Sequence, residues 1–192
     1  EDGGASWSLN RPLWDQLVDG SALAATAVLG TGDSDWACTK DNVTGLTWEV
    51  KTTAGLRRSN HVYTWYSTDA SNGGNPGDAG TNTCGGTLSA APYNNQCNTR
   101  NFIAAVNAAT LCGAADWRLP TLKELLSLVH SGEFIPAIDA AYFPNTVSDF
   151  YWTSSTYVFG LDKAWFVTFY DGDSDSGSKV APKLVRLVRG GQ

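Results

Sequence analysis

Residues 67–98 are the least regular part of this sequence, and they contain two of its four cysteines. The run Ser71–Asp78 is so rich in Gly, Asn and Pro that it is incompatible with a helix or an interior strand. An irregular segment of about thirty residues is unusual in a compact domain unless something holds it. Cys84 and Cys97 lie within the segment, and a disulfide between them would stabilise the fold by ~3 kcal/mol in the chain-entropy model. The sequence therefore predicts long, disulfide-linked loops.

The four cysteines together indicate two disulfides rather than a metal centre. None belongs to a Cys-x-x-Cys pair and the chain has only two histidines, which argues against a Cys/His zinc site. An even cysteine count in an acidic chain is typical of disulfides formed in an oxidising compartment. Four cysteines allow three pairings, and we favour Cys84–Cys97 within the loop and Cys38–Cys112 between a hairpin and a helix.

Composition limits the classes of partner. The 192 residues carry a net charge of −6, with thirteen Lys and Arg against nineteen Asp and Glu. Nucleic-acid binding needs clustered positive charge, so we predict no nucleic-acid partner. No run of 18 apolar residues is present, so no membrane-spanning helix is expected. The chain has no methionine, even at position 1, and no secretory apolar segment, which we interpret as a mature secreted chain after removal of a signal peptide.

The order of predicted elements is β-β, α-α, β-β-β, which is typical of an α+β domain with an antiparallel sheet. Strand patterns of alternating or β-branched and aromatic residues occupy 36–50 (a hairpin), 62–66, 150–155, 164–170 and 183–189. Helical patterns occupy 98–112, stopped by Gly113, and a second segment that opens at Thr121 and ends at Ser131-Gly132. Thr121 and Glu124 match the capping box.

The N-terminal residues 1–35 form an arm that precedes this domain of residues 36–192. Leu13, Trp14, Leu17 and Val18 have helical spacing and predict a short amphipathic helix or turn. We expect the arm to dock on its own domain or on a neighbouring subunit.

Five segments of the sequence match a known pattern. They are Asp41–Trp48, Asp116–Leu125 (Asp-Trp-Arg-Leu-Pro-Thr-Leu-Lys-Glu-Leu), Tyr151–Ser155, Ala164–Val167 and Val185–Gly191 (Val-Arg-Leu-Val-Arg-Gly-Gly). Together they resemble the Lcl_C family, the C-terminal domain of the Legionella collagen-like protein, from about Cys38 onwards. This resemblance implies a secreted, surface-associated domain that binds rather than catalyses, in a family whose adhesin member binds sulfated glycans and assembles through trimers. No collagen-like Gly-x-y tract is present, so collagen-driven trimerisation does not carry over.

The Arg-Leu-Pro-Thr and Arg-x-Val-Arg-Gly-Gly elements also resemble the formylglycine-generating sulfatase-modifying family. Through that family they resemble the C-type-lectin-like fold. The resemblance implies a C-type-lectin-like α+β fold, with an antiparallel sheet, two main helices and long disulfide-stapled loops.

The acidic turn Asp171–Gly177 resembles the start of a calcium loop, with Asp171, Asp173 and Asp175 as candidate ligands. An EF-hand needs Gly at its sixth position and Glu at its twelfth, where this chain has Ser176 and Pro182. A solvated β-turn is the preferred interpretation, and a calcium site of another type is the alternative. No other cofactor is predicted.

Four aromatic side chains beside polar loops are candidates for stacking on sugar rings: Trp65, Tyr66, Tyr93 and Tyr157. Trp48, Trp117, Trp152 and Trp165 lie inside regular elements and are expected to pack in the core. Arg118 is expected to be a structural ion-pair partner, because a planar guanidinium satisfies several acceptors at once.

The sequence carries none of the common enzyme motifs. A reactive thiol would need an activating base, but neither His61 nor His130 lies near a cysteine in the sequence. Gly-x-Ser-x-Gly, phosphate-loop and His-Glu-x-x-His patterns do not occur. We expect an exported bacterial surface protein for adhesion or recognition, with carbohydrate as the expected ligand, bound through loops 67–98 and 156–163. The alternative is a structural subunit of an extracellular filament or coat, in which the arm docks on a neighbour.

Overall fold

The residues that the structure describes form two antiparallel sheets. The computed structural model describes residues 36–190, together with the backbone of two short strands near the N-terminus. The first sheet has the order β2-β1-β3-β4-β8 and the second has the order β5-β6-β7. The strands are β1 (Trp14–Val18), β2 (Ser21–Ala22), β3 (Cys38–Asp41), β4 (Thr47–Glu49), β5 (Phe150–Thr156), β6 (Lys163–Thr168), β7 (Ser174–Ser178) and β8 (Val188–Arg189). The predicted α+β class with antiparallel pairing is confirmed.

The prediction for the start of the arm is wrong. Trp14–Val18 forms strand β1, antiparallel to β3, instead of a short helix or turn. The edge of β3 offers backbone N–H and C=O groups, and a strand satisfies them where a helix would not. Leu13 and the rest of the arm outside β1 and β2 lie outside the described residues.

In the described part of the chain, two α-helices connect the sheets. Helix α1 (Thr99–Ala108) is capped by Asn98, whose side chain accepts a hydrogen bond from the Asn101 amide. It ends earlier than expected, because Thr110 adopts a positive φ of 49° and a 3-10 turn follows over Leu111–Gly113. Cys112 therefore lies beyond the helix rather than on its face.

Helix α2 (Leu122–Leu126) has the predicted capping box. The Glu124 amide donates to Thr121 Oγ1, and the Thr121 amide donates to the Glu124 carboxylate. The helix covers only five residues and ends well before Ser131-Gly132. Among the described residues, no helix is long and apolar enough to cross a membrane.

Two predicted strands become irregular backbone, and one strand was missed. Residues 62–66 pair through single bridges to three separate segments, at Lys183, Asn98 and Gly77. Of the predicted strand 183–189, only β8 is regular. Strand β7 occupies part of the predicted acidic turn and pairs along β6 from Ser174 to Ser178.

Both predicted disulfides are formed. Cys84–Cys97 closes the long loop, and Cys38–Cys112 links β3 to the turn after α1. Two hydrophobic clusters fill the interior, one around Trp65, Trp117 and Trp152 and the other around Trp48 and Tyr151. Trp48, Trp117 and Trp152 are buried as predicted, whereas Trp165 is half-buried.

Candidate functional site

A cavity of about 500 Å³ opens where residues 65–69 meet the first turn of α1, the start of α2 and strand β5. Four segments that are distant in sequence supply its walls. The lining residues are Trp65, Tyr66, Ser67, Thr68, Asp69, Thr99, Arg100, Ile103, Arg118, Leu119, Thr121 and Ser154. This volume lies within the range of small-molecule sites, about 300–1,000 Å³.

Hydrogen bonds fix the floor of the cavity. Trp65 Nε1 donates to the Thr153 carbonyl at 2.9 Å, which ties the floor to β5. The Tyr66 amide donates to Thr99 Oγ1, and this hydroxyl donates to the Tyr66 carbonyl. Gly77 (φ 86°) passes so close to Trp65 that a Cβ there would lie 2.1 Å from the Trp65 carbonyl oxygen. The floor is therefore held from β5, from α1 and from the long loop.

One wall of the cavity contains Arg118, which forms an ion pair with Glu124. Arg118 donates to both carboxylate oxygens of Glu124, at 2.9 and 2.7 Å. Hydrogen bonding to Arg118 lowers the pKa of Glu124 and raises that of Arg118, although partial desolvation opposes both shifts. Arg118 therefore acts as the structural ion-pair partner that the sequence indicated, and Glu124 keeps α2 capped.

The two motifs that carried the family resemblance meet behind this wall. Arg118 and Val188 exchange both backbone hydrogen bonds, and Arg118 also donates to the Gly190 carbonyl. Asp116 accepts from Arg189 at 2.6 Å, and this hydrogen bond lowers the pKa of Asp116. The Trp-Arg-Leu-Pro-Thr segment and the Arg-x-Val-Arg-Gly-Gly ending thus form one structural unit.

The rim of the cavity carries two charges that remain available. Arg100, in the first turn of α1, and Asp69 are both exposed. Neither forms a salt bridge with any described residue. Ser67, whose hydroxyl contacts Asp69, adds a polar group beside Thr68. The rim can therefore accept and donate hydrogen bonds to a polar ligand.

The structure brings together two of the four predicted aromatic residues. Trp65 and Tyr66 both line the cavity, but Trp65 is only 2% exposed, so its expected position on the surface is wrong. Its indole packs in the core, donates a hydrogen bond to the Thr153 carbonyl and lies against Lys179, whose Nζ is 4.3 Å from the ring centre. Tyr66 is half-buried, with part of its surface accessible from the cavity.

The other two predicted aromatic residues lie elsewhere. Tyr93 packs against the first hydrophobic cluster from the long loop. Tyr157 packs edge-on against Phe159 and Trp165, with ring centres 5.7 and 5.4 Å apart. Neither lines the cavity, and whether they bind a ligand stays a prediction.

The three carboxylates of the acidic turn do not converge on one point. Among the described residues, no group of three or more His, Cys, Asp or Glu side chains could hold a metal ion, and the proposed calcium set Asp171, Asp173 and Asp175 is no exception. Two of these carboxylates accept backbone hydrogen bonds locally: Asp171 from the Asp173 amide and Asp175 from the Ser176 amide. Asp175 lies on β7, so pairing with β6 sets its direction.

Sequence reasoning missed Arg100, Ile103 and Ser154 as cavity residues. Ile103 and Arg100 follow the helical repeat of α1 and show no motif of their own. Ser154 lies in the middle of a β-strand pattern. The Arg-Leu-Pro-Thr element was the one available indication, because Arg118, Leu119 and Thr121 all belong to it and all line the cavity.

The family model of the Lcl C-terminal domain matches residues 37–189. No curated protein and no solved structure matches the chain.

Proposed function

The chain belongs to the Lcl C-terminal domain family, and from this premise we propose that it is an exported bacterial surface protein that recognises carbohydrate through the cavity between residues 65–69, α1, α2 and β5. Adhesion to a host or to another surface is the process that such recognition serves. The proposed frame is C-type-lectin-like, and the two disulfides fit an extracellular location.

The observation that carries the proposal is the chemistry of the cavity wall. Tyr66, Ile103 and Leu119 give it an apolar and aromatic surface. Ser67, Thr68, Thr121 and Ser154 add hydroxyl groups around that surface, and Arg100 and Asp69 add one charge of each sign. A sugar presents apolar C–H faces and a ring of hydroxyls, so it needs this combination of surfaces. A few convergent polar groups on a mainly apolar wall are also what fixes the orientation of small ligands in general.

The same wall supports binding rather than catalysis. Arg118 and Glu124 are bound to each other and to the cap of α2, so neither is available for proton transfer. The described residues that line the cavity include no histidine and no cysteine. We therefore propose a non-enzymatic role, with no cofactor.

A glycan array with the full chain tests the proposal, followed by measured affinities for the best hit. Tyr66→Ala and Arg100→Ala are expected to weaken binding by about tenfold or more, since each removes a contact worth about 1.4 kcal/mol. Matched controls are Tyr170→Ala and Arg58→Ala, which alter exposed residues outside the cavity. An array without hits, or equal losses in cavity and control variants, would overturn the proposal.

The second candidate function is a structural subunit of an extracellular filament or coat. The part of the arm that the structure describes pairs with β3 of the same chain. The filament hypothesis needs β1 to pair with β3 of a neighbouring chain instead. The filament hypothesis predicts that removing residues 1–35 abolishes assembly, which light scattering would measure.

A further inference from the structure

Three large apolar side chains are exposed together beside the turn between β6 and β7. Phe134, Ile135 and Tyr170 are 68%, 59% and 55% exposed, and we call these three residues the Phe134 patch. Their exposed parts add up to roughly 350 Å², taking about 150–250 Å² for each large side chain. Contiguous apolar surface of about 300–600 Å² on a monomer is often functional. None of the three residues lines the cavity, so the proposed function leaves them unexplained.

Backbone hydrogen bonds place the residues of the Phe134 patch beside each other. The Ile135 amide donates to the Tyr170 carbonyl at 3.2 Å, and the Ala137 amide donates to the Phe169 carbonyl at 2.8 Å. Segment 134–137 is therefore joined to the backbone that follows β6. Since Phe134 directly precedes Ile135, the patch is continuous although its residues come from two distant segments.

The turn that carries Tyr170 is held in one position. The Thr168 amide donates to the Asp173 carbonyl, and the Gly172 amide donates to the Thr168 carbonyl, at 2.8 and 2.9 Å. Gly172 (φ 87°) approaches the core so closely that a Cβ there would lie 2.4 Å from Val129 Cγ1. An ordered surface loses little conformational entropy when a ligand docks on it, which favours binding.

Ile135 is an unusual residue for its backbone conformation. Its φ is 53°, in the left-handed region where β-branched side chains are rare. Gly or Asn adopts this region with less strain, so stability alone would favour one of them here. The isoleucine instead places a large apolar side chain on the surface. Backbone strain of this kind is concentrated at functional sites.

Three carboxylates form the rim of the Phe134 patch. Glu133 directly precedes Phe134, and Asp171 and Asp173 follow Tyr170 in the turn. All three carboxylates belong to exposed residues. None of them forms a salt bridge with any residue that the structure describes. The rim therefore presents uncompensated negative charge beside the apolar surface.

Cations are scarce around the rim. The sequence has no Lys or Arg between Lys123 and Lys163, or between Lys163 and Lys179. Lys163 begins β6, about 16 Å along the strand from Thr168, which is twice the Debye length of about 8 Å at physiological salt. Lys123 is exposed on α2, which contacts β6, and it is one lysine against three carboxylates.

The basic groups nearest to the rim have other partners. Lys183 lies over aromatic rings of the second sheet, and the carboxylates that act on it are Asp149 and Asp175 rather than those of the rim. The carbonyl of His130 accepts from the Glu133 amide, and its ring accepts from the Gly132 amide. The net charge beside the Phe134 patch is therefore negative.

We infer that the Phe134 patch binds a peptide segment of a partner protein in which apolar side chains are flanked by Lys or Arg. The apolar side chains of this segment cover Phe134, Ile135 and Tyr170, and its cations face the carboxylates of the rim. Complementary charge of this kind speeds association and rejects acidic partners. The inference goes beyond the proposed function and uses a different surface.

Charge and area both favour a peptide segment over a second copy of the chain. Pairing two Phe134 patches around a two-fold axis would bring six carboxylates together between chains that each carry a net charge of −6. Like charges across an interface are unfavourable. A stable protein face also buries about 800 Å² on each partner, roughly twice what the patch offers. A short segment matches the size of the patch.

Selection of random 12-residue peptides, displayed on phage, against the full chain tests the inference. We expect enrichment of peptides with Leu, Phe or Trp next to Lys or Arg, and micromolar Kd values for synthetic copies of the best hits. Phe134→Ser should raise the Kd at least tenfold. Phe159→Ser, at an exposed phenylalanine in the turn between β5 and β6, is the matched control and should leave the Kd unchanged.

Salt dependence tests the contribution of the rim. Glu133→Gln combined with Asp171→Asn should raise the Kd about fivefold at low salt and much less at high salt, because salt screens exposed charges. Asp162→Asn, at an exposed carboxylate outside the rim, is the control. Equal effects of the rim variant and its control would contradict the assigned role of the rim.

Ile135→Asn separates a binding role from a structural one. It removes apolar surface and relieves the strain at φ 53°, so the Kd should rise at least tenfold while the free energy of unfolding does not fall. Tyr66→Ala, in the cavity, should leave peptide binding unchanged. The inference fails if no basic apolar peptides are enriched, if Phe134→Ser and Phe159→Ser weaken binding equally, if Ile135→Asn binds normally or is destabilised, or if the chain dimerises through Phe134 without peptide.

Discussion

Lys51 is a charged side chain that the fold buries almost completely, and its contacts show how. Its Nζ donates to Glu49 Oε1 at 2.8 Å and lies 4.6 Å from the centre of the Phe102 ring. The second carboxylate oxygen of Glu49 accepts from the Leu187 amide. Arg186, also buried, donates to the Glu49 carbonyl and to Thr146. Two cations and one anion thus share the interior between β4 and the C-terminal segment.

This burial makes the stability of the protein depend on pH in the alkaline range. Desolvation lowers the pKa of Lys51 from 10.5 to about 8, although Glu49 opposes the shift. Between these two values the unfolded chain holds a proton that the folded chain has lost, so the free energy of unfolding rises with pH. We expect Lys51 to contribute a rise of about 3 kcal/mol from pH 8 to pH 10.5.

Chemical denaturation at a series of pH values measures this rise. The reference is Lys51→Met, which removes the titrating group and leaves Glu49 with the buried cation Arg186 as its neighbour. The curve of the wild-type chain should climb relative to this variant above pH 8. Parallel curves would show that Lys51 keeps its proton in the folded state.

At the scale of elements, the long loop is anchored by one buried lysine. Lys179 follows β7, and its Nζ donates to the carbonyls of Asn72 and Asn75 at 2.9 and 2.7 Å. The same ammonium lies over the Trp65 ring. Burial lowers the pKa of Lys179. The lysine therefore joins the loop, the floor of the cavity and the second sheet.

Lys179→Met should release the loop without unfolding the domain. Hydrogen bonds to charged groups are worth about 1.5–3 kcal/mol, so we expect a loss of about 2 kcal/mol in the free energy of unfolding. Amide hydrogen exchange over residues 67–78 should accelerate at least tenfold, while exchange in β5 stays slow. Lys40→Met, at an exposed position of β3, is the control. Unchanged exchange in the loop would mean that the lysine is not its anchor.

Elements whose structure is set by neighbouring residues could be predicted from the sequence. Elements that depend on partners distant in the sequence could not. The capping box of α2 and the turn between β3 and β4 follow from neighbouring residues. Strand β7 reads Ser-Asp-Ser-Gly-Ser and has no apolar pattern, because it is an edge strand that pairs its backbone without burying a face. Residues 62–66 have the alternation of a strand, but their partners lie on three separate segments.

The residues that line the cavity were even harder to predict from the sequence than the strands. Tyr66 and the Arg-Leu-Pro-Thr element were noticed for local reasons, and each lines the cavity. Ser154 and Ile103 reach the cavity only because β5 and α1 pack around Trp65. The hydrogen bond from Trp65 to Thr153, which holds β5 there, joins residues 88 positions apart along the chain. Without the fold, no local property distinguishes Ser154 and Ile103 from others in the same strand and helix.

For the molecule as a whole, the two disulfides close loops of very different length. Cys38–Cys112 spans 74 residues and Cys84–Cys97 spans 13. In the chain-entropy model these loops correspond to about 4.5 and about 3 kcal/mol. Replacing Cys38 and Cys112 with Ala should therefore destabilise the protein more than replacing Cys84 and Cys97 with Ala.

Denaturant unfolding of the two double variants, without reductant, tests this order. Among the described residues no cysteine is left unpaired, so neither variant gains a free thiol that could exchange. A larger loss for the 84–97 pair would show that the short bridge stabilises native contacts of the loop rather than restricting the unfolded chain.

Backbone hydrogen bonds also join the two ends of the long loop. The Thr64 amide donates to the Cys97 carbonyl, and the Thr99 amide donates to the Thr64 carbonyl. When the ends of a segment are already joined, extra length costs little, about 0.6 kcal/mol per doubling. Within the long loop, the exposed turn at residues 89–92 follows the buried Leu88 and carries no core side chain, so it is a natural place to graft a foreign peptide. The domain would then serve as a display scaffold whose remaining parts keep their shape.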